Sequence, residues 1–447
     1  RAIEDERFIR KHPVSRELHA KATSTMLAGV PLSWMQKWPG AFPVYIAKAD
    51  GSHFTDVDGN SYVDLCLGDT GAMAGHSPAP VVQAIQQQVT QVMSAMLPTN
   101  DAAIVSEEMQ RRFRLPIWQF TTSATDANRH VIRYCRMLTG RSKIVIIDRC
   151  YHGSVDESFA TLDDNNQVIS RENNVGPPVP LHLTTRVVPF NNVDAMQAAL
   201  SKEDVACVLM EPAMTNVGIV LPDENYLTDI QTLCHQWGTL LIYDETHTIS
   251  VGPGGMTGAS SKLKPDFVTI GKAIGGGIST GAFGMRQAIA EAIQKMVPLS
   301  TIDVGGIGGT LAGNALSLAA MRATLKHVLV DDAFIRMNGL AEAWTAGVDD
   351  AIKKYGLPWH CSRLGARAEY LFSPRAPRNG KEANDAGDFE LEQYIHLRLL
   401  NDGFLLTPFH NMALMCPMTT QQDVDAHTAA FAAMCADLVG KGPQASL

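Results

Sequence analysis

Hydrophobic and polar residues follow two different patterns along the chain. Residues 44–65, VYIAKADGSHFTDVDGNSYVDL, alternate apolar and polar positions around ADG and DVDGN, which predicts short antiparallel strands joined by glycine-containing turns. Residues 8–28 before them are predicted to form a helix. From about residue 78, helical stretches such as 79–96 and 125–139 alternate with short apolar runs. These runs predict the buried strands WQFTTS (118–123), KIVIID (143–148), VACVLMEP (205–212), TLLIYDE (239–245) and DFVTIGK (266–272).

This alternation predicts an α/β fold. Continuous apolar strands separated by helices are typical of a mostly parallel sheet that is covered on both faces. After about residue 325 the pattern changes to long helices followed by HCSRLGARAEYLF and GFLLTPFHNMALMCP, which predict strands of a smaller α+β domain. We expect a large domain over 76–325 and a small domain built from 1–75 and 326–447. Residues 162–182 and 374–388, rich in Asn, Pro and Gly, are predicted to be surface loops.

Charge and cysteine usage narrow the class of protein. The chain has 447 residues and a net charge of −9 without a basic block, which argues against nucleic acid as a partner. No apolar run approaches the roughly 18–20 residues of a membrane span, and the charged segment RAIEDERFIRKHP does not resemble a signal peptide. The eight cysteines are scattered without a CxxC pair, a pattern of reduced thiols that predicts a cytoplasmic protein.

Two strand ends carry residues that suggest chemistry. In LLIYDETHT, Asp244 ends an apolar strand, and a buried carboxylate there needs a cationic partner, yet no metal-binding cluster surrounds it. In FVTIGKAIGGG, Lys272 ends another apolar strand before a glycine-rich loop. On neighbouring parallel strands, these residues would hold the two ends of pyridoxal phosphate, with the lysine on its aldehyde carbon and the acid on its ring nitrogen. The alternative for Lys272 is an ordinary surface lysine. The alternative for Asp244 is a helix cap, but this would leave Lys272 unexplained.

Such a cofactor also needs a site for its phosphate. TTSATDAN (121–128) follows a strand and opens a helix, so that the hydroxyls of Ser123 and Thr125 and the amides of Ala124 and Thr125 would face a bound anion. An ordinary helix cap is the alternative. In CYHGS (150–154), Tyr151 is a candidate to stack on the ring, while His152 is either a cofactor residue or a loop histidine.

Together these segments resemble a known family. The order and spacing of the pieces, from about residue 44 to 420, resemble class III, fold-type I, pyridoxal-phosphate-dependent aminotransferases, and most of all their glutamate-1-semialdehyde aminomutase-like branch. The segments that carry the resemblance are ADGSHFTDVDGNSYVDL, GHSPAPVVQAI, SATDAN, TGRSKIV, CYHGS, MEPAMTNVGIVLP, GTLLIYDE, PDFVTIGKAIGGG and GGTLAGNALSLAA.

The resemblance implies a fold-type I enzyme and assigns roles to residues. Lys272 matches the Schiff-base lysine and Asp244 the partner of the pyridine nitrogen. Thr310, in GGTLAGN, resembles the residue that reaches the phosphate of the neighbouring subunit, which implies a homodimer. The remaining residues it assigns to the cofactor or to its substrate side are Ser123, Ala124, Thr125, Tyr151, Glu211, Asn216 and Thr246. His152, next to Tyr151, stays a further candidate cofactor residue.

The chain departs from the family pattern next to Asp244. Thr246 stands where the family has an aliphatic residue that packs on the ring, and His247 follows it. Thr is nearly isosteric with Val, so packing on the ring can survive. We expect a structural role for His247, because Lys272 already supplies the proton shuttle. Ala124 replaces the family glycine, which is compatible with a backbone contact to phosphate.

The segments expected to bind the substrate lack arginine. GVPLSWMQKWPG (29–40) contains Trp34 and Trp38, and LLTPFHNMALMCP (405–417) contains Phe409 and His410. Arg is the usual bidentate partner of a carboxylate. We therefore predict a ping-pong transaminase that moves an amino group from an apolar or aromatic amine, or a non-alpha amino acid, to a keto acid such as pyruvate. Arg363 or Arg367 could reach the site, although a structural or surface role is the default.

Other functions stay open at this point. A glutamate-1-semialdehyde-type 2,1-aminomutase would differ in needing no separate amino acceptor, and a racemase is a further option. A non-catalytic binding protein of the same fold is a hypothesis of another class, against which Lys272 and Asp244 argue. A nucleotide-dependent dehydrogenase fits poorly, because no GxGxxG follows the first strand of the parallel sheet.

Overall fold

The computed structural model describes residues 1–176 and 179–440. Its α-helices are α1 (Ala2–Lys11), α2 (Pro13–Ala22), α3 (Ala79–Val89), α4 (Asn100–Phe113), α5 (Ala124–Thr139), α6 (Val193–Leu200), α7 (Tyr226–Gln236), α8 (Gly255–Ala259), α9 (Gln287–Met296), α10 (Ala315–His327), α11 (Asp331–Tyr355), α12 (Gly380–Asp385), α13 (Phe389–Asn401) and α14 (Gln421–Leu438). Its strands are β1 (Ile46–Asp50), β2 (His53–Asp56), β3 (Ser61–Asp64), β4 (Ile117–Thr121), β5 (Lys143–Ile147), β6 (Ala160–Leu162), β7 (Val168–Ser170), β8 (Thr185–Val188), β9 (Val205–Met210), β10 (Leu240–Asp244), β11 (Phe267–Gly271), β12 (Gly281–Met285), β13 (His360–Leu364), β14 (Arg367–Leu371), β15 (Phe404–Leu405) and β16 (Met412–Leu414).

The chain divides into two compact units. The central unit consists of Ala79–Phe334 and Pro377–Asp385. The terminal unit consists of Arg1–Pro78, Ile335–Ala376 and the chain from Ala386 on.

The central unit is built on a seven-stranded sheet in the order β4-β12-β11-β10-β9-β5-β8. β12 pairs antiparallel with both of its neighbours, whereas the other pairs are parallel. Every residue of β9, β11 and β12 is buried, as expected for strands covered on both faces. The mostly parallel α/β sheet predicted from the apolar runs is confirmed.

The terminal unit contains two smaller sheets, in the orders β1-β2-β3-β15 and β13-β14-β16. β1, β2 and β3 pair antiparallel, as the alternation over 44–65 predicted. One of its buried apolar clusters joins residues far apart in the chain, namely Phe8, Phe42, Phe54, Tyr62, Leu397 and Leu400.

Several predicted boundaries were wrong. The helix expected over 8–28 is two helices, α1 and α2, which are separated at His12 (φ −127°, ψ 50°). Pro13 explains the break, because proline lacks an N–H and keeps the preceding residue out of the helical region. The loops expected over 162–182 and 374–388 contain β7 and α12, respectively. Positions 177 and 178 of the first loop lie outside the described residues.

Among residues 1–176 and 179–440, none of the helices combines the length and the apolar character that crossing a bilayer requires.

Candidate active site

The predicted acid and lysine lie at one edge of the central sheet. β10 and β11 are parallel neighbours, and Asp244, the last residue of β10, pairs with Thr269 of β11. Lys272 follows the last residue of β11 directly. Side chains at the carboxyl ends of adjacent parallel strands meet at the same edge, where ligands of open α/β sheets bind.

Asp244 is buried and surrounded by hydrogen-bond donors. It is 3% exposed. Its Oδ2 accepts hydrogen bonds from His152 Nδ1 at 2.9 Å and from Asn128 Nδ2 at 2.9 Å, while its Oδ1 accepts one from the backbone N–H of Thr246 at 3.1 Å. Burial alone would raise the pKa of Asp244, but the hydrogen bonds, led by that from His152, lower the pKa to about 2. The carboxylate is therefore ionised at neutral pH.

His152 is the second member of this group. It follows β5 and is 2% exposed. Burial acts to lower its pKa, but Cys150 and the Asp244 carboxylate act more strongly in the opposite direction and raise the pKa to about 10. From the sequence, His152 could be either a cofactor residue or a loop histidine. In the structure, its ring contacts the carboxylate of Asp244. Its Nε2 is buried without a hydrogen-bond partner among the described residues.

Lys272 occupies a strained backbone position. Its φ of +50° lies in the left-handed region, which a non-glycine residue adopts at a cost, and such strain concentrates at functional sites. Its Nζ lies 2.8 Å from Nε2 of His247. A structural role was expected for His247, and its contact with Lys272 was not predicted from the sequence.

The start of α5 provides the candidate phosphate site. Ser123 caps the helix, accepting from the backbone N–H of Asp126 at 3.2 Å and donating to the Asp126 carboxylate at 3.0 Å. The first amides of a helix have no acceptor within it and attract anions. A side chain at Gly271 would place its Cβ 2.9 Å from the backbone nitrogen of Ala124, so the helix begins beside the strand that precedes Lys272. Ser123 thus caps α5, which was the alternative to a role in phosphate binding. The amides of Ala124 and Thr125 remain candidates to bind the phosphate.

The loop after β5 approaches the same helix end. The backbone N–H of Ser154 donates to Oγ1 of Thr125 at 3.2 Å. Gly153 has a φ of +77°, and a Cβ at this position would collide with Oγ1 of Thr125. Only glycine permits this approach, which brings the segment containing Tyr151 and His152 next to the helix.

The other residues assigned to the cofactor also belong to the central unit. Glu211 is 4% exposed and accepts a hydrogen bond from the Thr215 hydroxyl. Asn216 donates to the backbone carbonyl of Arg149 at 2.9 Å. Thr246 is buried, and its Oγ1 has no hydrogen-bond partner among the described residues. Thr310 lies in an exposed segment before α10, and its expected role concerns a second subunit.

The predicted substrate-binding residues belong to the terminal unit. Trp34 and Phe409 pack edge to face with ring centroids 5.3 Å apart. His410 is buried, with Nδ1 3.4 Å from a carboxylate oxygen of Glu369. Trp38 is half-buried and lines an apolar cavity of about 460 Å³ within this unit.

Sequence reasoning missed three residues in these groups. Lys37 Nζ lies 4.6 Å from the ring centroid of Phe409 and 5.7 Å from that of Trp34, which places a cation on the aromatic pair. Asn128 is fully buried, and an Asn at a buried helix position was the available signal for a specific hydrogen bond. His247 was visible as a departure from the family pattern, but nothing local linked it to Lys272.

The arrangement fits pyridoxal phosphate. The buried, ionised Asp244 suits a protonated ring nitrogen, and the lysine at the neighbouring strand end suits the aldehyde carbon. The unpartnered Oγ1 of Thr246 and Nε2 of His152 are buried polar atoms available to a bound group. The residues that would hold the phosphate are at the start of α5.

Comparison with known proteins agrees with this chemistry. Residues 34–434 match the family described as Aminotransferase class-III. A curated glutamate-1-semialdehyde 2,1-aminomutase of Acidobacterium capsulatum is 31% identical over 407 residues, which cover 88% of this chain and 93% of the relative. The crystal structure of a glutamate-1-semialdehyde-aminomutase from Pseudomonas aeruginosa PAO1 has 48% sequence identity and a TM-score of 0.95, covering 98% of this chain and 97% of that one. A lysine-to-alanine variant of that enzyme, in complex with PMP, matches with a TM-score of 0.94 and 48% identity over the same shares of the two chains.

Proposed function

As a member of the class III aminotransferase family, the protein uses pyridoxal 5′-phosphate, and we propose that it is an aminomutase that moves an amino group from C2 to C1 of glutamate 1-semialdehyde or a similar acidic amino aldehyde. In this shift the aldehyde carbon receives the amino group and the former amine carbon becomes the ketone. The reaction is an isomerisation, so that no separate amino acceptor or oxidant is needed. The bound cofactor supplies an aldehyde for the amino group and an electron-withdrawing ring.

The chain's own residues have distinct roles in this proposal. Lys272 bonds the cofactor and, when displaced by the substrate amine, moves the proton between substrate and cofactor carbons through Nζ. Asp244, held ionised by His152 and Asn128, keeps a negative charge where the ring nitrogen is protonated. The amides of Ala124 and Thr125 bind the phosphate at the helix end.

The likeness to aminomutases over nearly the whole length is the observation that carries the proposal. The relative from A. capsulatum and the 48%-identical structure from P. aeruginosa both bear this name, and both are matched over more than nine tenths of their own length. This likeness favours the aminomutase, which the sequence analysis kept as an alternative. It argues against the transaminase that was predicted from the lack of arginine.

Lys37 is a candidate partner for a substrate carboxylate. The expectation of an apolar substrate rested on arginines missing from residues 29–40 and 405–417. Lys37 belongs to the first of these segments, and its ammonium group lies over Phe409 and Trp34. We propose that this cation pairs with the substrate carboxylate while the aromatic rings contact the carbon chain.

A transaminase of apolar or aromatic amines is the second candidate. The edge-to-face pair of Trp34 and Phe409 favours it, because aromatic surface rewards apolar contact. The two functions differ in one requirement, since a transaminase needs a keto acid acceptor.

In the experiment, the holoenzyme is assayed with glutamate 1-semialdehyde as the sole substrate. In separate assays it receives 1-phenylethylamine, with and without pyruvate. We expect the semialdehyde to give the aminoketone without any acceptor and to exceed 1-phenylethylamine in kcat/KM by at least about tenfold, or about 1.4 kcal/mol. Turnover of 1-phenylethylamine that depends on pyruvate, with none of the semialdehyde alone, would establish the transaminase instead.

A Lys37→Met variant tests the carboxylate partner. We expect KM for the semialdehyde to rise about two- to fivefold, the effect of one exposed ion pair, with kcat preserved. Lys48→Met, which removes an exposed lysine from β1, is the matched control and should behave like wild type. An unchanged KM in Lys37→Met would remove Lys37 from the site.

A further inference from the structure

His247 lies beside the amine expected to carry out the proton transfer. Its Nε2 is 2.8 Å from Nζ of Lys272, a hydrogen-bond distance between two nitrogens. We propose that His247 is a positioning residue for Lys272 and that its neutral ring accepts a hydrogen bond from Nζ through Nε2. This inference rests on the proposed amino-group chemistry of Lys272, although the hydrogen bond itself does not.

The direction of the hydrogen bond follows from the two groups. A lysine ammonium has only donors, so it can bond Nε2 only if that nitrogen carries no proton. The proton of the neutral imidazole is then on Nδ1. Two positive charges at this distance would repel each other, which favours a neutral ring beside a protonated lysine.

The turn that carries His247 is firmly held. Glu245, two residues earlier, is fully buried, and its carboxylate accepts hydrogen bonds from the backbone N–H groups of Met256 at 3.0 Å and Thr257 at 2.6 Å. The backbone N–H of Glu245 donates to Thr269 of β11 at 2.8 Å. The turn is thus tied to α8 through the Glu245 carboxylate and to β11, the strand directly before Lys272, through the Glu245 backbone.

Lys272 is held at its own backbone. It opens the 3₁₀ turn Lys272–Gly275 with a φ of +50°, directly after a fully buried strand. Two fixed backbones with their side chains in contact restrict the positions that Nζ can adopt. Preorganisation of this kind is what a proton-transferring group requires.

The hydrogen bond has a consequence for proton transfer. When Nζ removes a proton from the substrate carbon it becomes an ammonium, and Nε2 stabilises the new charge. Nζ then returns the proton to the receiving carbon, and His247 neither gains nor loses a proton. One N–H of the neutral Lys272 amine points to Nε2 of His247. The lone pair of Nζ is therefore directed away from the imidazole ring.

A spectroscopic experiment tests the hydrogen bond without any turnover. The whole chain, labelled with ¹⁵N-histidine and freed of cofactor, is studied by ring-nitrogen NMR at neutral pH, with the His247 signals identified by their loss in His247→Gln. We expect Nε2 unprotonated and Nδ1 protonated. A protonated Nε2 would overturn the proposal whatever reaction the enzyme catalyses.

Kinetics test the effect on Lys272. With the substrate that the wild-type enzyme converts faster in the assays above, His247→Leu should lower kcat about 10- to 100-fold, the effect of one hydrogen bond to a charged group, and leave KM within about threefold. The isotope effect of substrate deuterated at the reacting carbon should rise, because proton transfer becomes slower. His247→Gln keeps an acceptor and should retain kcat within about fivefold of wild type.

Control measurements separate this role from a loss of structure. His235→Gln changes an exposed histidine of α7 and should leave kcat and the isotope effect unchanged. Unfolding temperatures check that each variant folds. Wild-type kcat in a folded His247→Leu, or an equal loss in His247→Gln and His247→Leu, would overturn the proposal. Should wild type catalyse no amino shift or transamination, the proposed function fails, while the NMR result still decides the hydrogen bond.

Discussion

His152 donates a hydrogen bond from Nδ1 to Oδ2 of Asp244 across 2.9 Å, and both side chains are buried. The histidine must be the donor, because an ionised carboxylate can only accept hydrogen bonds. Asn128 donates to the same oxygen. Burial would otherwise raise the pKa of Asp244, so these contacts are what keep it charged. The protein thereby maintains a fixed negative charge at the end of β10.

Replacement of that charge should impair catalysis more than folding. Asp244→Asn preserves the shape and removes the charge, so that a protonated ring nitrogen is no longer favoured. We expect kcat to fall by at least about 10²-fold, the scale of removing one preorganised electrostatic partner. Asp229→Asn, on the exposed face of α7, is the control. A wild-type kcat in Asp244→Asn would mean that Asp244 only orders the turn after the strand.

Loss of the lysine should abolish turnover and spare the fold. Lys272→Ala removes the amine that we propose bonds the cofactor and transfers the proton. Under the same proposal, Asp244 and the start of α5 would still hold the cofactor non-covalently. We expect no cofactor fixed to the chain by borohydride, measured by mass spectrometry, and no product. Lys326→Ala, at an exposed position of α10, is the control. Borohydride should fix the cofactor to this variant, and its turnover should equal that of wild type. Normal turnover by Lys272→Ala would refute the assignment.

The approach of Gly153 to the helix end should matter for the cofactor. Gly153→Ala adds a Cβ that collides with Thr125 and also strains a backbone at φ +77°. Gly140→Ala, at the other end of α5, has a similar φ of +66° but open space around the Cβ. Both variants should lose about 1–2 kcal/mol from backbone strain. Only Gly153→Ala should also weaken cofactor binding, by at least about tenfold, in a titration followed by absorbance. Equal affinities in the two variants would contradict this placement of the loop.

Glu392 should make the terminal unit less stable as pH rises. Burial, followed by the charge of Glu369, raises the pKa of Glu392 from 4.5 to about 7. The folded state therefore binds a proton that the unfolded chain releases, and the free energy of unfolding falls as pH rises across that window. Glu392→Gln should flatten this fall, measured by urea unfolding at about pH 5 and pH 8. Glu390→Gln, exposed on the same helix, should keep the wild-type slope. A slope unchanged in Glu392→Gln would place the titrating group elsewhere.

Thr310 tests the expected homodimer. If its hydroxyl binds the cofactor phosphate of the neighbouring subunit, Thr310→Ala should weaken cofactor binding about tenfold, as for one hydrogen bond to a charged group. The dimer itself should persist in sedimentation experiments. Thr301→Ala, in the same exposed segment, is the control. A fully active monomer would rule out the shared site.

Part of this protein was determined by local sequence. Five of the seven strands of the central sheet, β4, β5, β9, β10 and β11, coincide with the predicted apolar runs, whereas β8 and β12 were not predicted. Asp244 and Lys272 are recognisable because they lie at the ends of two such runs. The break at Pro13 also has a local cause, because proline disfavours a helical conformation in the residue before it, although one helix was predicted over 8–28. The expectation of an apolar amine rested on the absence of arginine from residues 29–40 and 405–417. The position of Lys37 over the ring of Phe409 could not be read from the sequence, because it comes from tertiary packing.

The α/β fold class and the positions of Asp244 and Lys272 at strand ends could be predicted from the sequence, because strand periodicity and the residues at strand ends are properties of short segments. The resemblance to a known family supported the cofactor. Which neighbours these two residues have depends on the tertiary structure. Asn128 and His152 reach Asp244 across 116 and 92 positions of the chain, and His247 reaches Lys272 across 25. Contacts over such separations depend on the order in which the strands assemble into the sheet, and no local pattern of apolar and polar residues specifies them.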